Sequence, residues 1–117
     1  MLRLLTLQPG EDLEMPGLMI EAVPAWNTRP YHQEIFRWVG YIVSIDGWKI
    51  YVAGDTDNIA ENHGIECDIA IVPVGGTFTM TAEEAADYVN MMLIAGQSKR
   101  SKKNVWRLSM EMELLRD

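Results

Sequence analysis

Asp55 and Asp57 stand one residue apart in Gly54-Asp-Thr-Asp, directly after the apolar run Ile50–Ala53. A carboxylate at the end of a strand is a hard, anionic oxygen donor suited to a divalent cation. The competing reading is a polar turn in which Asp or Thr caps the next segment. A second apolar run, Ile69–Val74, ends in Gly75-Gly76 and is followed by Thr77 and Thr79. These threonines read as turn and cap residues, or as contacts to a ligand. His32 and His63 fall in polar stretches, and neither has a partner at the spacing of a histidine metal motif. Cys67 opens an apolar run, and its expected role is packing. Strand, polar turn, strand, polar turn brings such groups to one edge of a sheet, where a rigid scaffold positions loop residues.

The elements that must do this positioning follow from pattern. Met1–Leu7 reads as a short strand broken by Arg3, and Gln8-Pro-Gly-Glu as a turn. Leu13–Pro16 is too short to assign. Leu18–Val23 reads as a strand ended by Pro24, which has no N–H for a ladder. Ala25–Arg37 is a polar and aromatic loop. Val39–Ile45 is rich in β-branched and aromatic residues. Asp46-Gly47 predicts a type I′ hairpin turn, returning Trp48–Ala53 antiparallel to it. Asn58–Ile65 holds at most one helical turn. Asp68–Val74 is continuously apolar, which suits a strand covered on both faces. Thr81–Leu93 is the clearest helix: Thr81 and Glu84 form a capping-box pattern, and Ala82, Ala85, Ala86, Val89 and Leu93 make an apolar stripe. Gly96 fits a helix stop. Val105–Leu115 fits a strand or a helix.

Composition excludes several classes. The chain has 117 residues, enough for one domain or a piece of one, and its apolar content of 48% is that of a globular protein. A net charge of -7 argues against nucleic-acid and anionic-membrane partners. A single cysteine rules out an internal disulfide framework and a Cys-rich zinc site. It also fits a reducing compartment, so the expected location is the cytoplasm. No apolar run is long enough for a membrane span. No P-loop, dinucleotide fingerprint or G-x-S-x-G elbow is present. The basic residues up to Ile94 are only Arg3, Arg29, Arg37 and Lys49, whereas basic residues outnumber acidic ones from Ala95 to Asp117. That shift predicts a boundary, with a domain over 1–94 and a separate basic tail over 95–117.

Several motifs in order carry a resemblance. Val23-Pro-Ala-Trp-Asn, Val39-Gly-Tyr-Ile-Val, Gly47–Asp57 and Val72-Pro-Val-Gly-Gly-Thr-Phe-Thr-Met, then Glu83-Glu-Ala-Ala, resemble the metallo-β-lactamase superfamily. More closely, the chain is similar to its small metal-dependent hydrolases, which read V-P-A-Y-N, G-D-T-D and P-V-G-G-T-Y-T-M. The resemblance implies an αβ/βα sandwich, here an α+β half with a mainly antiparallel sheet and the helix packed on one face. It implies two metal ions, usually zinc, that activate a water for hydrolysis. Asp55 matches the aspartate that bridges the two metals. His32 follows the V-P-A-W-N segment and is a second candidate ligand that the motif does not assign. Asn27, Asp57, Thr77 and Thr79 are candidate substrate or turn residues.

The family's H-x-H-x-D-H motif and its last histidine ligand are absent from this sequence, which has two histidines. A catalytic zinc takes about three protein ligands. The expected function is therefore a metal-dependent hydrolase domain that is incomplete and inactive as an isolated chain. Two alternatives stand beside it. One is a half-enzyme completed by a partner chain carrying the missing N-terminal half. The other is a non-catalytic module that binds a partner or self-associates into a homo-oligomer.

Overall fold

A computed structural model describes residues 4–28, 37–76, 79–94, 106–108 and 114–116. Four strands lead the chain: β1 (Asp12–Met15), β2 (Leu18–Pro24), β3 (Val39–Ile45) and β4 (Trp48–Val52). They pair as an antiparallel meander. Turn chemistry sets the register. Asp46 and Gly47 both take positive φ, 51° and 79°, as a type I′ turn requires. Pro16-Gly17 joins β1 to β2, with proline presetting φ and Gly17 at φ 77°.

The first strand is not where the apolar pattern puts it. Residues 4–7 are irregular, Leu4 and Leu5 are exposed, and Met1–Arg3 lie outside the described residues. The outer position goes instead to Asp12–Met15, which pairs from Asp12 opposite Glu21 to Met15 opposite Leu18. Its tight turn places it there, although its own sequence carries little strand signal.

After β4 the chain makes a single 3-10 turn (Ala60–Asn62), then β5 (Glu66–Cys67) and β6 (Ile69–Pro73). β6 lies parallel to β4, with Tyr51 opposite Ala70. Helix α1 (Ala82–Asn90) begins at the predicted cap: Thr81 Oγ1 accepts from the Glu84 N–H, and the Glu84 carboxylate accepts from the Thr81 N–H. The helix stops at Met91, short of Leu93, because Leu93–Ile94 leaves it as strand β7 and pairs with β5. Gly96 lies outside the described residues. The tail takes the strand form. β8 (Trp106–Leu108) runs parallel to β6, and β9 (Leu114–Arg116) returns antiparallel to β8. The main sheet has the order β1-β2-β3-β4-β6-β8-β9, beside the two-stranded β5-β7 sheet.

The two faces of the main sheet differ. On one, Ile42, Tyr51, Ala70 and Val72 bury against Ala85, Tyr88, Val89 and Met92 of α1 and its C-terminal end. The charged residues of β1 to β4, namely Asp12, Glu14, Glu21 and Lys49, share this face by register. The other face carries Leu13 and Met15 of β1, then Leu18 and Ile20 of β2. Tyr41, Val43 and Ile45 continue it on β3, opposite Val52, Ile50 and Trp48 of β4. Ile69 and Ile71 extend it onto β6. These residues keep solvent exposure, whereas Ala22, opposite Tyr41 on the same face, is buried. The expectation of a β6 covered on both faces is thus half met: Ala70 and Val72 are buried, while Ile69, Ile71 and Pro73 are half-buried.

Candidate functional site

The ends of β2 and β4 bring two loops together, Ala25–Thr28 and Ala53–Asp57. Two glycines allow the approach. A Cβ at Gly40 would meet the Ala53 carbonyl oxygen at 2.5 Å, so β3 passes against the end of β4 only without a side chain. Gly54 takes φ +69°, and a Cβ there would lie 3.2 Å from the Val39 carbonyl oxygen. The Ala25 N–H donates to the Trp38 carbonyl at 2.9 Å, fixing the start of the first loop to the strand that follows.

Asp57 closes the two loops on each other. Its Oδ2 accepts from the Thr28 N–H at 2.9 Å and from the Thr28 hydroxyl at 3.0 Å. Its own N–H donates to the Trp26 carbonyl at 3.0 Å. The buried Thr56 hydroxyl donates to the Asp57 carbonyl at 2.9 Å, with the Trp26 carbonyl at 3.3 Å as its second neighbour. Asp57 is thus engaged by hydrogen bonds within the two loops. Asp55 comes out differently. It is exposed and borders an open cleft of about 260 Å³ with Ala25, Trp38, Val39 and Gly54. A carboxylate held there on a fixed turn is accessible to a cation.

The other predicted residues are distributed as follows. Asn27 is buried within the first loop, beside Trp26. Thr79 is also buried, and its hydroxyl has no hydrogen-bond partner among the described residues. His32 and Thr77 lie outside the described residues. His63 is exposed, with Nε2 2.6 Å from Asn58 Oδ1 and its ring tilted toward Tyr88 at 6.4 Å. Cys67 is fully buried, and burial together with the neighbouring Asp68 raises its thiol to about 11. A buried thiol of that kind is inert, in keeping with a packing role.

Behind the loops sits a polar group that the sequence did not announce. The Tyr51 and Tyr88 hydroxyls lie 2.7 Å apart in the core, joining β4 to α1. Burial pushes both hydroxyls above the ordinary tyrosine range. Asn62 faces both tyrosines and donates through Nδ2 to the Pro24 carbonyl at 2.7 Å. The end of β2 is thereby tied to the helix. Thr28, Thr56 and Asn62 were missed as site-holding residues. The only sequence signal for them was their place just after V-P-A-W-N, inside G-D-T-D and in the polar crossing.

The donor set is short of a metal centre. Among the described residues no three His, Cys, Asp or Glu side chains gather to hold a metal ion. One exposed carboxylate such as Asp55 falls short of the about three protein ligands a catalytic zinc takes. The described residues do not fit a catalytic metal, so no hydrolytic step is derived through one. No helix among the described residues is long and apolar enough to cross a membrane.

Comparison with known proteins adds the following. The model of the beta-lactamase superfamily domain matches residues 3–93. A UPF0173 metal-dependent hydrolase of Thermococcus onnurineus is 38% identical over 86 residues, which is 68% of this chain and 38% of that protein. Its counterpart in Pyrococcus horikoshii is 40% identical over 86 residues, with the same shares of 68% and 38%. Among solved structures, one described as a metal-dependent hydrolase from Parabacteroides distasonis superposes with a TM-score of 0.68 at 30% identity, covering 92% of this chain and 57% of that one. Igni18, a metallo hydrolase of Ignicoccus hospitalis, shares the fold with a TM-score of 0.63 at 22% identity, covering 97% of this chain and 60% of that one. The chain spans about 38% of the length of the curated relatives it matches.

Proposed function

The chain belongs to the metallo-β-lactamase superfamily, within its group of metal-dependent hydrolases, and from that premise we propose that it supplies the aspartate-bearing sheet edge of a hydrolase site. Asp55 is its family-matched metal ligand, and zinc is the metal it serves. As an isolated chain it holds no catalytic metal pair and does not hydrolyse substrate. One observation carries this reading: Asp55 stands exposed on the cleft at the end of β4, and the neighbouring Asp57 is engaged by Thr28. A single carboxylate binds a divalent cation weakly and leaves no set of ligands to activate a water.

Elemental analysis of the purified chain after incubation with zinc and desalting tests the proposal. Substoichiometric zinc is expected, together with no turnover of chromogenic ester or phosphodiester substrates. Two tightly held zinc ions per chain would overturn it. Asp55→Ala adds a control. A solvated turn carboxylate contributes little, so the melting temperature should stay within the change expected from about 0.5 kcal/mol. A large loss of stability that chelation reproduces in the unsubstituted chain would reveal a metal site after all.

A further inference from the structure

Asn62 is only 1% exposed, on the 3-10 turn that follows the Asp55 loop. Asparagine is mostly a surface residue, and an amide taken out of water costs free energy unless its hydrogen bonds are remade. An apolar side chain of the same size would fill this space without that cost. What the amide adds is direction. Its Nδ2 donates to the Pro24 carbonyl at 2.7 Å. The Ala25 N–H, the other half of that same peptide group, donates to the Trp38 carbonyl at 2.9 Å. A peptide unit is planar, so holding both its oxygen and its N–H fixes the orientation of the whole plane. Ala25 and Trp38 are two of the residues that line the cleft on which Asp55 stands.

The turn that carries the amide is itself anchored. The Asn62 N–H donates to the Ile59 carbonyl at 3.1 Å, and the Gly64 N–H donates to the Met91 carbonyl, at the end of α1, at 3.0 Å. The Asn62 side chain faces the Tyr51 and Tyr88 hydroxyls, which meet at 2.7 Å between β4 and α1. Asp57 holds the far end of the Ala25–Thr28 loop through the Trp26 carbonyl and Thr28, and Asn62 holds its entry. We propose that Asn62 is a positioning residue of the Asp55 cleft: its side-chain amide sets the plane of the Pro24–Ala25 peptide and, through it, the wall that stands beside Asp55. Its consequence for a cation rests on the reading of Asp55 as a metal ligand, whereas the placing of the wall does not.

Amide hydrogen exchange of the full chain, read residue by residue by NMR, tests the positioning. In Asn62→Leu the Ala25 amide should lose protection by about tenfold more than the amides of β3 and β4, which report opening of the whole sheet. If Asn62→Leu fails to fold, Asn62→Ser decides, because its hydroxyl ends one bond short of the amide nitrogen. Equal losses at Ala25 and in the strands would overturn the proposal, since a residue that only packs lowers protection everywhere alike. Manganese(II) at low concentration tests the consequence for a cation. In the unsubstituted chain it should broaden the Gly54 and Ala25 amide signals, and Asp55→Ala should abolish both effects. In Asn62→Leu the broadening at Gly54 should persist while that at Ala25 shifts relative to it. An unchanged ratio of the two would overturn the proposal. No broadening in the unsubstituted chain, together with the excess loss of protection at Ala25, would overturn the cation reading of Asp55 and leave the positioning standing.

Discussion

Asp55 and Asp57 differ by two positions, and the turn sends one carboxylate to solvent and the other onto Thr28. Their substitutions should separate accordingly. Asp57→Ala removes an acceptor from two donors and should cost about 1–2 kcal/mol, read as a lowered urea midpoint. Asp57→Asn keeps an oxygen toward Thr28 and should cost less. An equal loss from both would mean that the charge, and not the acceptor, holds the loops. Cys67 opens the alkaline pH dependence, and the raised Tyr51 and Tyr88 hydroxyls add to it above pH 10. In the fold its thiol stays protonated until about 11, whereas the unfolded chain releases that proton from the ordinary value of 9.0. The unfolded state binds fewer protons between these values, so stability is full below pH 9 and falls between pH 9 and 11. Cys67→Ala should flatten the stability curve between pH 9 and 10 relative to the unsubstituted chain, leaving the fall above pH 10 that the two tyrosines cause.

At the scale of elements, the loops meet because β3 passes close to the end of β4. Gly40→Ala would press a Cβ into the Ala53 backbone, where neither partner is a flexible side-chain tip. A loss of about 1–3 kcal/mol is expected by thermal melting, with a disturbed Ala25–Thr28 loop. Residue pattern made much of this architecture legible. Asp46-Gly47 specified its turn, Thr81 and Glu84 specified the helix start, and β2, β3, β4 and β6 lay where apolar runs lay. Patterns of local origin failed where long-range pairing decided. Met1–Leu7 is more apolar than Asp12–Met15, but Pro16-Gly17 folds the latter back onto β2. The helix stripe extended to Leu93, but β5 drew Leu93–Ile94 into a strand. Within the candidate site, the ordered motifs singled out Asp55, which lies exposed on the cleft. The clasp through Thr28 and Thr56 could not be read, because it joins residues far apart in sequence by hydrogen bonds with no periodic signature.

For the whole molecule, the balance is between a net charge of -7 and apolar burial. Like charges repel within the compact state, and salt screens that repulsion without weakening apolar burial. The melting temperature should therefore rise as salt is raised, measured by circular dichroism at low and high ionic strength. A fall with salt would mean that attractive ion pairs outweigh the repulsion. Both faces of β6 were apolar in the sequence, and only the α1 side finds its cover among the described residues.

The meander also dictates a timetable. Among themselves β1 to β4 pair only in chain order, so the loops between them close over short stretches of chain. β6 must first cross over to lie parallel to β4, and β8 must do the same beside β6 after the helix is made. Short closures come cheaply in chain entropy and long parallel ones do not. The hairpin around Asp46-Gly47 should thus be native-like in the folding transition state, and the β6–β8 pairing should still be absent from it. On the ribosome, the loops that carry Asp55 leave the exit tunnel before the helix that follows them.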